Sequence, residues 1–179
     1  MAEHACTTPQ RVTEPRTHFA HSPISRTFSE LNGALAQYIE YERDIECANA
    51  FDPAFADWVA DAEAARHNVL DRIASITTAP ISRDADKPFQ RISLLTRALI
   101  ICETGADFTA LYALLGSHGH FFACFENDPV GHRVQLMLEV HQDHLRALAD
   151  LSEFAEDPLS FDGIDGTDDQ RAMTATAAA

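Results

Sequence analysis

The sequence predicts an all-α protein: a four-helix bundle of antiparallel helices flanked by flexible N- and C-terminal tails. Three observations support this. Apolar residues recur at spacings of three, four and seven in four separate segments. Each segment opens on a helix-start signature of Thr or Asp, three of them with Pro. No stretch alternates apolar and polar residues in the manner of a half-buried strand.

Residues 1–26 hold Pro9, Pro15 and Pro23 among Thr, Ser and His without an apolar period, the pattern of a flexible arm. The bundle domain is expected over 27–154. Its first helix is expected from Thr27, where Glu30 completes a capping box, to about residue 50. Phe28, Leu31, Leu35, Tyr38 and Ile45 form its stripe. The second opens at Asp52-Pro53, carries Phe55, Val59, Ala62, Val69, Ile73 and Ile76, and stops before Thr77-Thr78-Ala79-Pro80. The link between them spans only a couple of residues, so an antiparallel hairpin is expected.

The third helix is expected from near Asp86-Lys87-Pro88 to just before Gly116. Phe89, Ile92, Leu95, Leu99 and Cys102 define one face; Leu94, Ala98, Ile101, Phe108, Tyr112 and Leu115 define another. A helix apolar nearly all round belongs at the centre of a fold. The fourth opens at Asp128-Pro129 and places Val134, Met137, Leu138, His141, Leu145 and Leu148 on one stripe. Four helices of roughly 23 to 28 residues, about 35 to 42 Å long, suit a bundle. Residues 155–179, with Asp-Gly at 162–163 and 165–166 and an Ala/Thr close, read as a disordered acidic tail. Leu159, Phe161 and Ile164 give that tail weak docking points.

The net charge is −15 and uneven. Residues 1–26 carry three Arg against two Glu, 27–151 nine basic against nineteen acidic side chains, and 152–179 one Arg against seven acids. Such a surface repels phosphates and anionic headgroups, so direct nucleic-acid and membrane binding are not expected. A basic protein partner is expected, or self-association. Lys87 is the one lysine among thirteen basic residues, which nearly excludes lysine-based phosphate chemistry. No uncharged apolar run is long enough to span a bilayer; the nearest, 98–115, is interrupted by Glu103 and Asp107. Met1-Ala2-Glu3-His4 has neither a basic start nor an apolar stretch behind it, so no ordinary secretory signal is expected. Cys6, Cys47, Cys102 and Cys124 are widely and irregularly spaced, as reduced thiols of a cytoplasmic protein would be.

Three groups of residues have the types that chemistry needs. Glu42, Glu103 and His141 fall on apolar stripes and are the catalytic candidates, since a bundle interior receiving carboxylates and imidazoles can hold an active or metal site. The spacing argues against a di-metal centre: Glu63 and His67 lie four apart and Glu139 and His141 two apart, where Glu-x-x-His pairs are needed. An interior ion pair or hydrogen-bonded network is the alternative. The metal candidates are His67, His118, His120, His141 and His144. Ser117-His118-Gly119-His120 with Cys124 and His132 resembles half of a zinc site, or is a polar turn beside Phe121, Phe122 and Phe125. Finally, Glu40, Glu42, Asp44, Glu46, Asp52, Asp57, Asp61 and Glu63 cluster about the first turn, opposed there by Arg43. Glu46, Asp57, Trp58 and Asp61 are the partner-binding candidates, with Trp58 an aromatic anchor. Nucleotide-binding and nucleophile-elbow motifs are absent from the sequence.

Ala64-Ala65-Arg66, the run 69–74, the break at Thr77-Thr78-Ala79-Pro80 and the run 92–99 resemble a loose group of small helical proteins of alphaproteobacteria. The stretch 81–86 is an insertion relative to that group's pattern. The resemblance implies a bacterial, cytoplasmic, helical protein, and no activity. The expected function is therefore an acidic binding, adaptor or regulatory protein that engages a basic partner or itself. The alternatives are a bundle enzyme or sensor with an interior carboxylate/histidine site, and a DNA mimic. No cofactor is expected.

Overall fold

A computed structural model describes residues 21–49 and 51–154. The expected tail 155–179, Cys6 and most of the expected arm lie outside the described residues. Among the described residues there are five α-helices: α1 (Pro23–Cys47), α2 (Phe55–Thr78), α3 (Lys87–Ile100), α4 (Gly105–Ser117) and α5 (Pro129–Ala149). Short 3₁₀ turns lie at Asp84–Asp86, Gly119–Phe122 and Ser152–Phe154. No strand occurs among the described residues.

The expected count of four helices is corrected to five because the third segment breaks. Its helix ends at Ile100, and Thr104 starts a new one, its hydroxyl accepting from the Asp107 N–H at 3.1 Å and donating to the Asp107 carboxylate at 2.8 Å. This is an N-cap with a reciprocal acidic partner, strong enough locally to restart the chain in a new direction. The break also overturns the expectation of a helix buried all round. Leu94 and Ile101 are 53% and 51% exposed, and only Phe108 of α4 is fully inside.

The first helix begins earlier than its capping box suggests. Ser22 is the N-cap, accepting from the Ser25 N–H at 3.0 Å, and Pro23 occupies the first turn. Thr27 donates instead to the Pro23 carbonyl, and Glu30 pairs with Arg72 of α2. That pair joins the start of α1 to the end of α2, so the hairpin is antiparallel as expected, though its link runs over 48–54 rather than two residues. Asp128 caps α5 through the Gly131 N–H at 2.6 Å, as its Asp-Pro sequence predicts.

The core lies between α1, α2, α3 and α5. Phe28, Leu35, Val69, Ile73, Phe89 and Leu138 are fully inside, and Phe28 stacks on Phe89 with centroids 4.2 Å apart. Asp86 pins the ends of two helices. Its buried carboxylate accepts from Ser22 at 2.6 Å and Ser82 at 3.2 Å, with the Arg83 guanidinium 3.6 Å away. A charge taken out of water needs such partners.

Two glycines separate backbone freedom from packing. A Cβ at Gly131 would lie 2.2 Å from the Glu126 carbonyl oxygen, whereas one at Gly33 meets nothing within 4 Å. Gly131→Ala should lower stability by about 1–3 kcal/mol through this clash. Gly33→Ala, mid-helix and exposed, should raise it by about 1 kcal/mol. Urea denaturation of the two variants checks both signs.

Candidate functional site

Two polar groupings stand out, one inside the fold and one at its edge. The inner one centres on His141, which is fully buried. It sits on the apolar stripe of α5 between Leu138 and Leu145, so packing carries the imidazole to the middle of the core. Its Nδ1 lies 2.7 Å from Asn32 Oδ1 of α1, and its Nε2 lies 2.7 Å from Thr96 Oγ1 of α3. The Asn32 amide nitrogen donates to the Met137 carbonyl at 3.2 Å, which turns its oxygen toward the ring. Nδ1 therefore carries the proton and donates to Asn32, and Nε2 accepts from Thr96. The Thr96 hydroxyl is also 2.8 Å from the Ile92 carbonyl, so its one proton is shared between two acceptors. The Phe28 ring closes the remaining side, with centroids 4.9 Å apart.

Burial, and secondarily the nearby His144, pushes the His141 pKa down to about 3. The imidazole is neutral across the physiological range and has no open nitrogen. It can neither ligate a metal nor exchange a proton with a substrate without loss of its two partners. The arrangement matches the hydrogen-bonded network that was the alternative to an interior reactive centre.

The outer grouping is a cavity of about 560 Å³ near the connected end of the α1–α2 hairpin. Tyr38, Glu42 and Glu46 reach it from α1, Glu63 and Arg66 from α2, and Ser152 and Glu153 from the last described turn. Tyr38 and Glu42 lie one turn apart on α1, and Glu46 one turn further, so helical spacing alone aligns them along one wall. Arg66 is held in place by donating to the Ile100 carbonyl at 3.1 Å. Glu46 accepts from the Ser152 N–H and so fastens the last turn to α1. Glu42 is half-buried; burial raises its pKa, the Glu153 charge adds to the rise, and a hydrogen bond from Tyr38 opposes it. The Tyr38 phenol is pushed up by burial and then by Glu153 and Glu42. The cavity is thus an anionic recess with one fixed cation at its side.

The structure separates the three catalytic candidates. Glu42 borders the cavity and His141 is in the core, whose α1 partner Asn32 lies ten residues, about 15 Å, along the helix from Glu42. Glu103 is exposed in the turn between α3 and α4, because the helix that was to bury it ends at Ile100. The metal candidates are likewise scattered. His67 is exposed, its Nδ1 2.9 Å from the Glu63 carbonyl. His118 and His120 are exposed beside Phe121, with ring centroids 6.5 Å apart. His144 is half-buried on α5, its pKa lowered by burial. Burial raises the thiol pKa of Cys124, which works against its use as a thiolate ligand. Among the described residues no group of three or more His, Cys, Asp or Glu is placed to hold a metal ion.

Of the partner-binding candidates, Glu46 borders the cavity. Asp57, Trp58 and Asp61 lie exposed on α2, with Trp58 37% accessible. Cys47 is exposed. Sequence reading missed Asn32, Thr96, Arg66 and Glu153. Asn32 falls four residues after Phe28 and three before Leu35, and Thr96 four after Ile92 and three before Leu99, so both positions on apolar stripes were visible. No helix among the described residues is long and apolar enough to cross a membrane.

The neutral imidazole makes stability depend on pH. In the unfolded chain His141 titrates near 6.5; in the fold it does so near 3. Between these values the unfolded state binds the extra proton, so this contribution is complete above pH 6.5 and is lost as pH falls toward 3, at about 1.4 kcal/mol per unit. Asn32→Ala leaves the Nδ1–H buried without an acceptor and should cost about 1–3 kcal/mol at pH 7. Chemical denaturation of wild type and variant between pH 4 and pH 8 checks both statements.

Comparison with known protein families, curated proteins and solved structures finds no match for this chain.

Proposed function

We propose that the protein binds a basic protein partner, taking an arginine or lysine side chain into the cavity between α1, α2 and the Ser152–Phe154 turn. The observation that carries this reading is the composition of that recess. Glu42, Glu46, Glu63 and Glu153 border it, and the one cation among its lining residues, Arg66, is tied to the Ile100 carbonyl. A guanidinium or ammonium entering it meets carboxylates on several sides, with Ile45, Val59 and Ala62 available to the aliphatic stem. Asp57 and Asp61 on α2 extend the anionic surface outward and would steer a basic segment toward the opening. Trp58 supplies an exposed aromatic face beside them, suited to stacking on a guanidinium.

The binding we propose is that of an adaptor or regulatory protein. We take its setting to be a bacterial cytoplasm, consistent with the resemblance to small alphaproteobacterial helical proteins and with three free thiols among the described residues.

A nona-arginine peptide tests the reading by fluorescence titration on Trp58 and by calorimetry. Glu42→Gln/Glu63→Gln should weaken binding by about tenfold, and Asp57→Lys/Asp61→Lys should mainly slow association and make it less sensitive to salt. Affinity should fall on acidification at a higher pH than an ordinary glutamate dictates, because burial already raises the Glu42 pKa and the protonated carboxyl loses its attraction for the cation. Binding that ignores salt, or is unchanged in Glu42→Gln/Glu63→Gln, would overturn the assignment.

A further inference from the structure

The outer face of α3 runs against the charge of the rest of the molecule. Helix α3 contains Lys87, Arg91 and Arg97 and no acidic residue, in a chain whose net charge is −15. Lys87 is paired with Asp84 at 2.8 Å. Arg91 donates to the Phe121 carbonyl at 3.3 Å and lies 5.7 Å over the Phe121 ring. Arg97 has no ion-pair partner among the described residues. Between and beside these cations stand Leu94, Ile101 and Phe121, each about half exposed. Positions 94, 97 and 101 follow helical spacing, so one continuous strip alternates greasy and positive groups. Exposed apolar groups in such a strip mark an interaction surface.

We infer that the segment 155–170 of the same chain docks on this strip. Its composition is complementary: Glu156, Asp157, Asp162, Asp165, Asp168 and Asp169 alternate with Leu159, Phe161 and Ile164, and it contains no basic residue. The point of departure is also right. Phe154 is buried and stacks on Phe108 of α4 with centroids 4.5 Å apart. Ser152 and Glu153 border the same cavity as Arg66, whose guanidinium reaches the carbonyl of Ile100 at the end of α3. The chain therefore leaves the described fold beside the Ile101 end of the strip. From Ile101 to Arg91 is ten helical residues, about 15 Å. Five or six residues of extended chain at about 3.3 Å each cover that distance, which is the length of 159–164, with 155–158 as the lead. Phe161 and its apolar neighbours meet Leu94 and Ile101, and the aspartates meet Arg97 and Arg91. Because the segment is tethered at Phe154, its effective concentration is high and a weak contact suffices.

Hydrogen–deuterium exchange on the full chain at low salt tests the docking. Amides of 159–165 should exchange about tenfold more slowly than their intrinsic rates. Asp162→Lys/Asp165→Lys, which changes nothing in the described fold, should abolish the difference, as should Arg91→Glu/Arg97→Glu. Raising the salt concentration should erode the protection, and tenfold dilution should leave it unchanged. Intrinsic exchange rates in the wild-type segment would overturn the proposal, and so would protection that survives both charge reversals. Protection that disappears on dilution would assign the strip to a second copy and overturn the intramolecular form. Should Arg91→Glu/Arg97→Glu lose protection in α1 and α5 as well, the Asp162→Lys/Asp165→Lys chain decides by itself.

Discussion

A neutral imidazole at the centre of the fold is the constraint on which the other arrangements rest. His141 occupies a place where an uncharged polar ring is tolerable only if both nitrogens are satisfied. Asn32 and Thr96 supply those partners from two different helices. An apolar core alone would accept many slightly rotated packings of the same helices, since Leu on Ile is not directional. Two directed contacts at 2.7 Å, with the Asn32 amide on the Met137 carbonyl, exclude most of them. They fix the rotation of α1, α3 and α5 about their own axes. That rotation in turn sets which residues of α1 face α2 near the link of the hairpin and which residues of α3 face outward.

Seen this way, the two charged surfaces are products of one internal registration. The α1 residues ten and fourteen positions beyond Asn32 are Glu42 and Glu46, and both line the recess. On α3, the positions flanking Thr96 that cannot face inward are Leu94 and Arg97. The Ser152–Phe154 turn is held by Glu46 of α1 and Phe108 of α4. Its Ser152 and Glu153 form a wall of the recess.

Much of the architecture was legible in the residues. Asp128-Pro129 marks the start of α5, the stripes of α1 and α5 largely match their buried faces, that of α2 does so from Ala62 onward but not at Phe55 and Val59, and His141 reads as inward-facing from its neighbours alone. Three things were not legible, each for a physical reason. The break after Ile100 was hidden because apolar residues continue at helical spacing through it; the competing signal was the short Thr104-Gly105-Ala106-Asp107 cap, which acts locally. The true start of α1 at Ser22-Pro23 was masked by an equally plausible Thr27/Glu30 pair, and Glu30 turned out to serve Arg72 across the hairpin. The partners of His141 and the convergence of Glu42 with Arg66 and Glu153 depend on helix rotation and on contacts between residues far apart in the chain. Periodicity places a residue on a face but does not say what stands opposite.

The break at Ile100 has a further consequence. Phe108 is the one fully inward side chain of α4, Leu111, Tyr112, Leu114 and Leu115 pack against the core only partly buried, and a helix of this length has scant stability of its own. It can unravel while α1, α2, α3 and α5 remain folded, as a separate cooperative unit of low opening free energy. The solvent-facing Glu103-Thr104 turn is then the natural place for a protease to nick the chain. Such a cut would release α4 from the end of α3 while the buried imidazole and its partners stayed where they are.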